Sequence, residues 1–313
     1  MTNGSGGTVT LGLDIGGTKT HCVAFDRELK PIAETRVPTS PAGVDRLADL
    51  VTETVAGVQH RLSGQSINAI GIGIPGLVDR HRGTVRQAVN LGIGNEALDL
   101  AGRVAAQFGV RCEIDNDVNV GALGAFRVLQ GDRSIDDLAY ISVGTGIAAG
   151  LILAGRIHRG QRGVAGEIGH FPVVPDGPRC ECGLRGCLEA IASGSAIARM
   201  YPTDGGSPIR SLLDDAATGD RSANERLDRI GDHLALAVYL VAVSYDVDLM
   251  VLGGGVFEAG SEIVELVGTG LRRLEKQSGF VRSLDLPGRI MLKPSEAVGA
   301  LGAALLTRSG ASS

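Results

Sequence analysis

The sequence contains one local pattern twice: an alternating apolar segment, a Gly-Thr turn and a second apolar segment. The first copy covers Val9–Asp26 with its turn at Thr18, and the second covers Leu138–Leu153 with its turn at Thr145. Apolar alternation on both sides of a short glycine-containing turn predicts a β-hairpin. The two threonines lie 127 residues apart. A pattern that recurs at such a distance predicts two related lobes, each with one hairpin.

Each turn also brings several peptide N–H groups together, and such a group of donors can cradle a phosphate. The first turn reads Gly16-Gly17-Thr18-Lys19 and the second reads Gly144-Thr145-Gly146. The first is not a Walker loop, because the GxxxxGK[ST] spacing is absent and a strand is predicted to follow it. Either turn alone is equally consistent with an ordinary hairpin, whereas the pair favours a nucleotide clamp.

Periodicity predicts strands and helices along the rest of the chain, and therefore an α/β fold. The predicted strands are Val9–Asp14, Thr20–Asp26, Ala69–Pro75, Val110–Ile114, Leu138–Val143, Ile147–Leu153, Leu249–Leu252 and Arg289–Leu292. The predicted helices are 43–62, 98–108, 119–129, 189–200, 224–244, 262–277 and 296–307. The last helix is rich in glycine and alanine, which close helix packing explains without a functional role.

Metal-binding residue types cluster in the middle of the chain. They are His170, Cys180, Cys182 and Cys187. Three thiolates and one imidazole complete a tetrahedral zinc site. The alternative is a disulfide with a free thiol, but Cys-x-Cys spacing suits disulfide geometry poorly. No secretory signal is recognisable, so we expect a reducing, cytoplasmic compartment. We therefore predict a structural zinc, which leaves the flanking Glu167 and Glu189 for another role.

Composition limits the classes of protein that fit. The 313 residues, 43% of them hydrophobic, suffice for one large domain or two lobes. The net charge of −5 gives no reason to expect a nucleic-acid partner. The longest apolar candidate, Leu234–Val243, is shorter than the roughly 18 residues of a membrane helix. We therefore expect neither a nucleic-acid nor a membrane partner.

Two predicted strands end in residues that suit ligand binding. The strand Val110–Ile114 is followed by Asp115-Asn116-Asp117, and polar groups at the carboxyl end of a strand commonly mark a ligand site. Asp117 could equally be the N-cap of the helix that follows. The strand Leu249–Leu252 is followed by Gly253–Gly255, where a flat ligand could approach the backbone. The alternative there is a tight strand-to-helix turn.

Taken together, these motifs resemble the ROK sugar kinases, of the actin/hexokinase-like ATPase class. The resemblance extends from about Val9 to Leu306. The motifs are Asp14–Lys19, Asn116-Asp117, Gly144–Gly146, Gly166–His170, Cys180–Glu189 and Leu252–Gly255. Within that family the chain is most similar to the glucokinases, on the residues around Ile157-His158, the GEIGH element and Glu189–Ser193.

The resemblance implies two ribonuclease H-like lobes with a cleft between them. Residues 8–118 with 298–310 would form the smaller N-terminal lobe, and 119–297 the larger lobe with the zinc loop. The implied activity is glucokinase, which converts ATP and D-glucose to ADP and glucose 6-phosphate in glycolysis. The implied cofactors are ATP, Mg²⁺ and a structural Zn²⁺. A homodimer or homotetramer is the expected assembly.

The resemblance also implies residue roles. Asp117 would be the general base that takes the proton of the attacking sugar hydroxyl. The implied sugar contacts are Gly76, Asn90, Asn116, Asp117, Glu167, His170 and Glu189. The implied nucleotide contacts are Asp14, Gly16, Gly17, Thr18, Lys19, Gly144, Thr145, Gly146, Gly254 and Gly255, with Asp14 near Mg²⁺. The alternative for Glu167 is a cap or a surface pair with Arg162, and Asp115 is expected to orient its neighbours.

The chain departs from the family pattern at a few positions, and other functions fit parts of it. Ala148 and Ala149 follow the second turn, where methyl groups could crowd the phosphates, and Val118 stands where the family prefers alanine. Other substrates are N-acetylmannosamine, N-acetylglucosamine, fructose or allose, and polyphosphate is an alternative donor. A non-catalytic sugar-binding protein is disfavoured by Asp117. A sugar-responsive repressor needs a DNA-binding segment of roughly 60 residues, whereas about eight residues precede the first strand.

Overall fold

The computed structural model describes residues 7–39, 43–131 and 134–308. Within them the chain forms thirteen strands and ten α-helices. The strands are β1 (Thr8–Ile15), β2 (Lys19–Phe25), β3 (Pro31–Pro38), β4 (Ser66–Ile74), β5 (Leu77–Asp79), β6 (Thr84–Arg86), β7 (Leu98–Asp99), β8 (Arg111–Asn116), β9 (Leu138–Val143), β10 (Ile147–Leu153), β11 (Arg156–Ile157), β12 (Leu249–Gly253) and β13 (Ile290–Leu292).

The helices are α1 (Val44–Gln59), α2 (Leu100–Phe108), α3 (Asp117–Leu129), α4 (Leu188–Ala192), α5 (Gly194–Met200), α6 (Pro208–Ala217), α7 (Arg221–Tyr245), α8 (Ser261–Gln277), α9 (Gly279–Ser283) and α10 (Val298–Leu306). The chain divides into two compact units. The first comprises the described residues up to Ser134, the segment Arg159–Val164 and residues 294–308, and the second comprises Ile135–His158 and Ala165–Lys293.

The two units contain five-stranded sheets of identical topology. The order is β3-β2-β1-β4-β8 in the first and β11-β10-β9-β12-β13 in the second. In each sheet the first three strands are antiparallel, and the last two run parallel to the central strand. The first unit adds a small sheet of order β5-β6-β7. The duplication predicted from the two Gly-Thr patterns is therefore confirmed.

Helix α10 packs directly on the first sheet because small residues allow close approach of the two backbones. A Cβ added at Gly12 in β1 would lie 1.8 Å from the carbonyl oxygen of Ala300. Helix α3 approaches α10 as closely, since a Cβ at Gly124 would lie 1.8 Å from the carbonyl oxygen of Val298. The structure thus confirms packing as the reason for the small residues. The lobe boundary predicted after residue 118 falls within α3, which belongs to the first unit.

One helix prediction was wrong in an informative way. The continuous helix predicted over 189–200 is two helices, α4 and α5, separated at Ser193. Ser193 has extended backbone angles, and its hydroxyl accepts a hydrogen bond from the Ala196 amide at 3.1 Å. Serine is a favoured N-cap, and here it ends the first helix and caps the start of the second.

None of the helices in the described ranges combines the length and the apolar character that crossing a membrane demands.

Candidate active site and metal centre

The four predicted metal ligands converge in the second unit. One ligand atom from each lies within 4.8 Å of all the others: His170, Cys180, Cys182 and Cys187. The Sγ atoms of Cys182 and Cys187 are 3.7 Å apart, and the Cys180 Sγ is 3.7 Å from the His170 Nδ1. Zinc at about 2.3 Å from sulfur and 2.0 Å from nitrogen gives tetrahedron edges of about 3.5–3.8 Å. A disulfide needs sulfurs about 2.05 Å apart, and the cysteines are free. The residues present therefore fit a tetrahedral ion, and the disulfide alternative was wrong.

The backbone around the cysteines forms a tight knuckle. The Cys180 amide donates to the Leu184 carbonyl at 2.8 Å, and the Gly183 amide donates back to the Cys180 carbonyl at 3.0 Å. Gly186 has a φ of +69°, and a Cβ there would lie 1.7 Å from the carbonyl oxygen of Val174. Glycine is thus required at 186 both for its conformation and for its close contact.

His170 presents its two ring nitrogens to different partners. Its Nδ1 faces Cys180, while its Nε2 lies 3.9 Å from the Glu167 carboxylate. A carboxylate beside the second nitrogen of a metal-binding histidine is a common arrangement that orients the ring. The protein around Glu167 removes water from its carboxyl group and so raises its pKa, an effect that His170 opposes and the charge of Glu189 reinforces. These three predicted sugar contacts therefore lie close enough to interact electrostatically.

Glu189 joins the loop that carries the four candidate metal ligands, residues 170–187 (the metal loop), to the second Gly-Thr turn. It lies in the first turn of α4, two residues after the ligand Cys187, and its Oε2 accepts a hydrogen bond from the Ile147 amide at 3.1 Å. A Cβ on Gly146 would lie 2.3 Å from the same oxygen, so the carboxylate lies directly against that glycine. The sequence predicts Glu189 as a sugar contact and gives no indication of this second contact.

The rest of the second turn is held by two other parts of the unit. The Gly194 amide, at the start of α5, donates to the Gly144 carbonyl at 2.7 Å. Gly254, with a φ of +88°, lies against Val143, because a Cβ there would lie 2.6 Å from its backbone. No described atom lies within 4 Å of a Cβ added at Gly255, so packing does not explain that glycine. The structure thus brings the predicted nucleotide contacts of this unit together.

Ala148 and Ala149 point to opposite faces of β10. Ala149 is 3% exposed and packs in the core of the second unit, whereas Ala148 is half-buried. Only one of the two methyl groups therefore lies on the face opposite the core.

The first turn is stabilised mainly within its own sheet. The Gly16 amide donates to the Lys19 carbonyl, and the Thr39 amide after β3 donates to the Thr18 carbonyl, both at 2.9 Å. The Asp14 carboxylate lies at the start of α10, since a Cβ on Gly299 would lie 2.1 Å from its Oδ2. A helix N-terminus favours a negative charge. Asp14 is thereby held beside the turn that carries the predicted phosphate contacts.

The polar residues where β8 meets α3 are fixed by capping. The Asn116 Oδ1 accepts from the Val118 amide at 2.9 Å and from the Asn119 amide at 3.4 Å. Asn116 is therefore the N-cap of α3, and the alternative that Asp117 caps this helix was wrong. Asp117 is the first helical residue. The Asn116 side-chain amide also donates to the Gly76 carbonyl at 3.3 Å, which joins two predicted sugar contacts.

Asn90 lies in the same unit as Asn116 and Gly76, but the structure does not join it to them. It lies exposed on the short turn Val89–Leu91, and none of the side-chain hydrogen bonds found among the described residues links it to Asn116.

Arg159 is a residue near the site that the sequence did not indicate. Its guanidinium donates twice to the Oδ2 of Asp115, with the Nε at 2.8 Å. Asp115 is 3% exposed, and its other oxygen accepts from the Asn116 amide at 2.8 Å and from the Asn119 side chain at 3.0 Å. Asp115 thus orients its neighbours as expected. The pairing was not recognisable because Arg159 is 44 residues away and lies in no motif of its own.

The duplicated sheets, with a glycine-rich turn in each central hairpin, define the two-lobed fold of the actin/hexokinase-like ATPases. The sequence model of the ROK family matches residues 10–309, and the chain belongs to this family. A glucokinase from Thermotoga maritima is 32% identical over 267 residues, which cover 80% of this chain and 83% of the relative. An N-acetyl-D-glucosamine kinase from Photobacterium profundum is 29% identical over 94% of this chain and 98% of its own length.

Solved structures agree with this assignment. A ROK family glucokinase from Streptomyces griseus, in complex with glucose and AMPPNP, superposes with a TM-score of 0.79 at 30% identity. The match covers 96% of this chain and 100% of that structure.

Proposed function

We propose that this protein is an ATP-dependent hexose kinase of the glucokinase type, which transfers the γ-phosphoryl group of ATP to D-glucose. One observation carries the proposal: Asn116 caps α3 and fixes Asp117 after β8, in a chain 30% identical to a glucokinase that binds glucose and AMPPNP. An aspartate at that position supplies the base that a hydroxyl nucleophile needs.

In this proposal Asp117 accepts the proton of the sugar hydroxyl as the oxygen attacks the γ-phosphorus. Glu167, His170, Glu189 and Asn116 bind the other hydroxyl groups, with Gly76 and Asn90 completing the sugar contacts. A carboxylate accepts from a hydroxyl, and an analogue that lacks the hydroxyl leaves that oxygen unpaired.

The nucleotide is held by the two turns. Thr18, Lys19 and Thr145, with the glycines beside them, donate to the phosphates, and Gly254 and Gly255 flank the adenosine. Asp14 fits a role near Mg²⁺, because its carboxylate is held beside the first turn and carboxylate oxygens are hard ligands. When bound, Mg²⁺ neutralises charge on the phosphates and requires no covalent contribution from the protein.

The metal centre has a structural role in this proposal. Four protein ligands fill a tetrahedral zinc shell and leave no position for substrate. The loop they close carries Glu167 before His170 and Glu189 after Cys187, so the ion fixes the spacing of two sugar contacts. We also propose a cytoplasmic homodimer or homotetramer, on family resemblance.

A second candidate is a kinase of N-acetylated amino sugars. The Photobacterium profundum relative, which this chain matches over nearly its full length, favours it.

A coupled kinase assay separates the candidates. The protein is given ATP with D-glucose, fructose, allose, N-acetylglucosamine or N-acetylmannosamine, and ADP release is followed. We expect D-glucose to give the highest kcat/KM. A higher value with an N-acetylated sugar favours the second candidate, and no ADP release above background with any sugar contradicts the kinase proposal itself. Polyphosphate in place of ATP tests the donor in the same assay.

A further inference from the structure

We infer that Glu189 is a positioning residue for the nucleotide as well as a sugar contact, and that it couples the binding of the two substrates. This inference rests on the proposed function, since it assigns a second role to a residue of the same site. It concerns only the second unit, where all the contacts that carry it lie.

The first step is the contact itself. The Glu189 Oε2 accepts from the Ile147 amide, which is the first peptide N–H after the Gly144–Gly146 turn. A carboxylate that accepts from a peptide N–H forms a charge-assisted bond, and such bonds are stronger than neutral ones. Glu189 therefore restrains the end of the turn, while the Gly194 amide restrains its start at Gly144.

The second step is that the backbone and the Cβ of Glu189 are held in place. It follows the metal ligand Cys187 by two residues and lies in the first turn of α4. On its other side, a Cβ added at Gly169 would lie 3.2 Å from the Glu189 Cβ, so the segment before His170 packs against its stem. The position of the Glu189 carboxylate, and with it that of the second Gly-Thr turn, therefore depends on the position of the metal loop.

The third step is the consequence for binding. A sugar hydroxyl that donates to Glu189 holds the carboxylate in the position that also restrains Ile147. Sugar and nucleotide then share one side chain, and each stabilises the arrangement that the other requires. By thermodynamic reciprocity, the factor by which sugar improves nucleotide affinity equals the factor by which nucleotide improves sugar affinity.

Glu167 provides a matched control in the same group of carboxylates. It lies three residues before His170 and contacts the Nε2 of that ring, whereas Glu189 contacts the turn. A Glu167 variant should therefore weaken sugar binding alone, whereas a Glu189 variant that loses the turn contact should weaken nucleotide binding even without sugar.

The experiment is calorimetric titration of the full-length protein with Mg²⁺ and AMPPNP, first without sugar and then with saturating D-glucose. D-glucose should raise the AMPPNP affinity of the original protein, and it should raise that of Glu189→Asp by a smaller factor. Glu189→Asp keeps the charge but shortens the side chain, and Glu189→Gln keeps the length and an acceptor oxygen but removes the charge. We expect Glu189→Asp to bind AMPPNP about tenfold more weakly, the effect of losing one charged hydrogen bond. Glu189→Gln, which keeps an acceptor but not its charge, should bind AMPPNP about threefold more weakly. Glu167→Gln should stay within about twofold of the original protein.

A second variant keeps the test decisive if Glu189→Asp does not fold, which the unfolding temperature and metal content report. Gly146→Ala places a methyl group where the carboxylate oxygen lies and should weaken AMPPNP binding comparably. The double variant Gly146→Ala/Glu189→Asp should lose less AMPPNP affinity than the product of the two single losses, because both changes disrupt the same contact.

The outcomes are distinguishable. Equal AMPPNP affinity in Glu189→Asp, Gly146→Ala and the original protein overturns the coupling and leaves the kinase proposal intact. Tighter binding in Glu189→Gln with no change in Glu189→Asp also overturns it, since charge repulsion would then be the cause. An original protein that binds no AMPPNP contradicts the proposed function as well.

Discussion

The two Gly-Thr turns occupy equivalent places in sheets of identical topology, yet different parts of the molecule support them. Four residues separate the paired Ile15 and Thr20 in the first hairpin, and three separate Val143 and Ile147 in the second. The first turn is held by its own hairpin and the residue after β3. The second is held by α4 and α5, which follow the metal loop. The two units thus share the same hairpin, but different hydrogen-bond partners hold its turn in each.

The carboxyl ends of the equivalent outer strands differ in the same way. Strand β8 ends in Asp115 and Asn116 and is followed at once by Asp117 and helix α3, whereas β13 is followed by Lys293 and Pro294. The first unit therefore carries the proposed base and the second carries the metal loop with its two carboxylates. The four predictions below test this division of roles.

Removal of the metal should destabilise the fold more than any other change considered below. The loss of structure should begin in the second unit. We expect elemental analysis to find one zinc per chain. Structural zinc contributes on the order of 10 kcal/mol to the folding of small zinc domains, so chelation should release the knuckle and its two glutamates. Hydrogen exchange should then increase around residues 163–200 before it increases in β1 and β4.

Cysteines outside the cluster supply the control for the metal. Cys187→Ser should lower the zinc content, while Cys112→Ser, in the first unit, should retain one zinc per chain. A protein without zinc whose exchange rates match those of the untreated protein contradicts the structural role.

Asp117→Ala tests whether the reacting base lies in the first unit alone. General-base catalysis contributes roughly 10²–10⁴-fold, so we expect kcat to fall about 10³-fold. Sugar affinity, measured by titration, should change only a few-fold, because Glu167, His170 and Glu189 lie in the second unit. A kcat within threefold of the original value would rule out Asp117 as the base.

The difference between the turns also shows what the sequence could and could not predict. Strands β9 and β10 were predicted with the bounds that the structure gives them, because apolar alternation and a glycine turn are local signals. The convergence of the four candidate metal ligands was predicted equally well, since all four lie within 18 residues of chain. The residue roles that the resemblance implies for sugar and nucleotide stay predictions.

Contacts between distant segments were not predictable in this way. The Ile147 amide and Glu189 are 42 residues apart, and the hairpin pattern is the same whether or not a carboxylate supports it. Strand β3 was missed because it has prolines at both ends and few large apolar residues, as an exposed loop does. Which distant side chains come into contact depends on the whole fold, and the spacing and periodicity of a sequence do not predict such contacts.

Arg159→Ala tests the buried ion pair that supports the carboxyl end of β8. The change leaves the Asp115 carboxylate buried without its counter-charge, and breaking such a pair costs roughly 3–5 kcal/mol. We expect about 3 kcal/mol lower free energy of unfolding in urea. Asp115→Asn in the same chain should restore part of this loss, because a neutral amide needs no counter-charge. Arg156→Ala, at an exposed position in β11, should stay within about 0.5 kcal/mol of the original protein; an equal loss there would point to a general effect of removing arginine.

The smallest expected effect comes from a residue pair that only the first hairpin has. In the strand register Asp14 lies opposite His21 between β1 and β2, and the equivalent positions of the second hairpin are Ser142 and Ala148. His21 is 6% exposed, and burial lowers its pKa below the ordinary value, although the hydrogen bond to the Glu34 carboxylate at 2.8 Å opposes this shift while Arg36 adds to it.

The sign of the pH dependence follows from that direction. Above about pH 6.5 His21 is neutral in both the folded and the unfolded chain, and the stability has its full value. As the pH falls below that value the unfolded chain takes up the proton first, so the free energy of unfolding decreases. One group can contribute at most about 1.4 kcal/mol per pH unit. Urea titrations between pH 7 and pH 5 should show a shallower decrease in His21→Gln than in the original protein, whereas His60→Gln, on the exposed end of α1, should not change the slope. An unchanged slope in His21→Gln would show that the buried histidine of the first hairpin does not set the pH dependence, and would remove this electrostatic difference between the two hairpins.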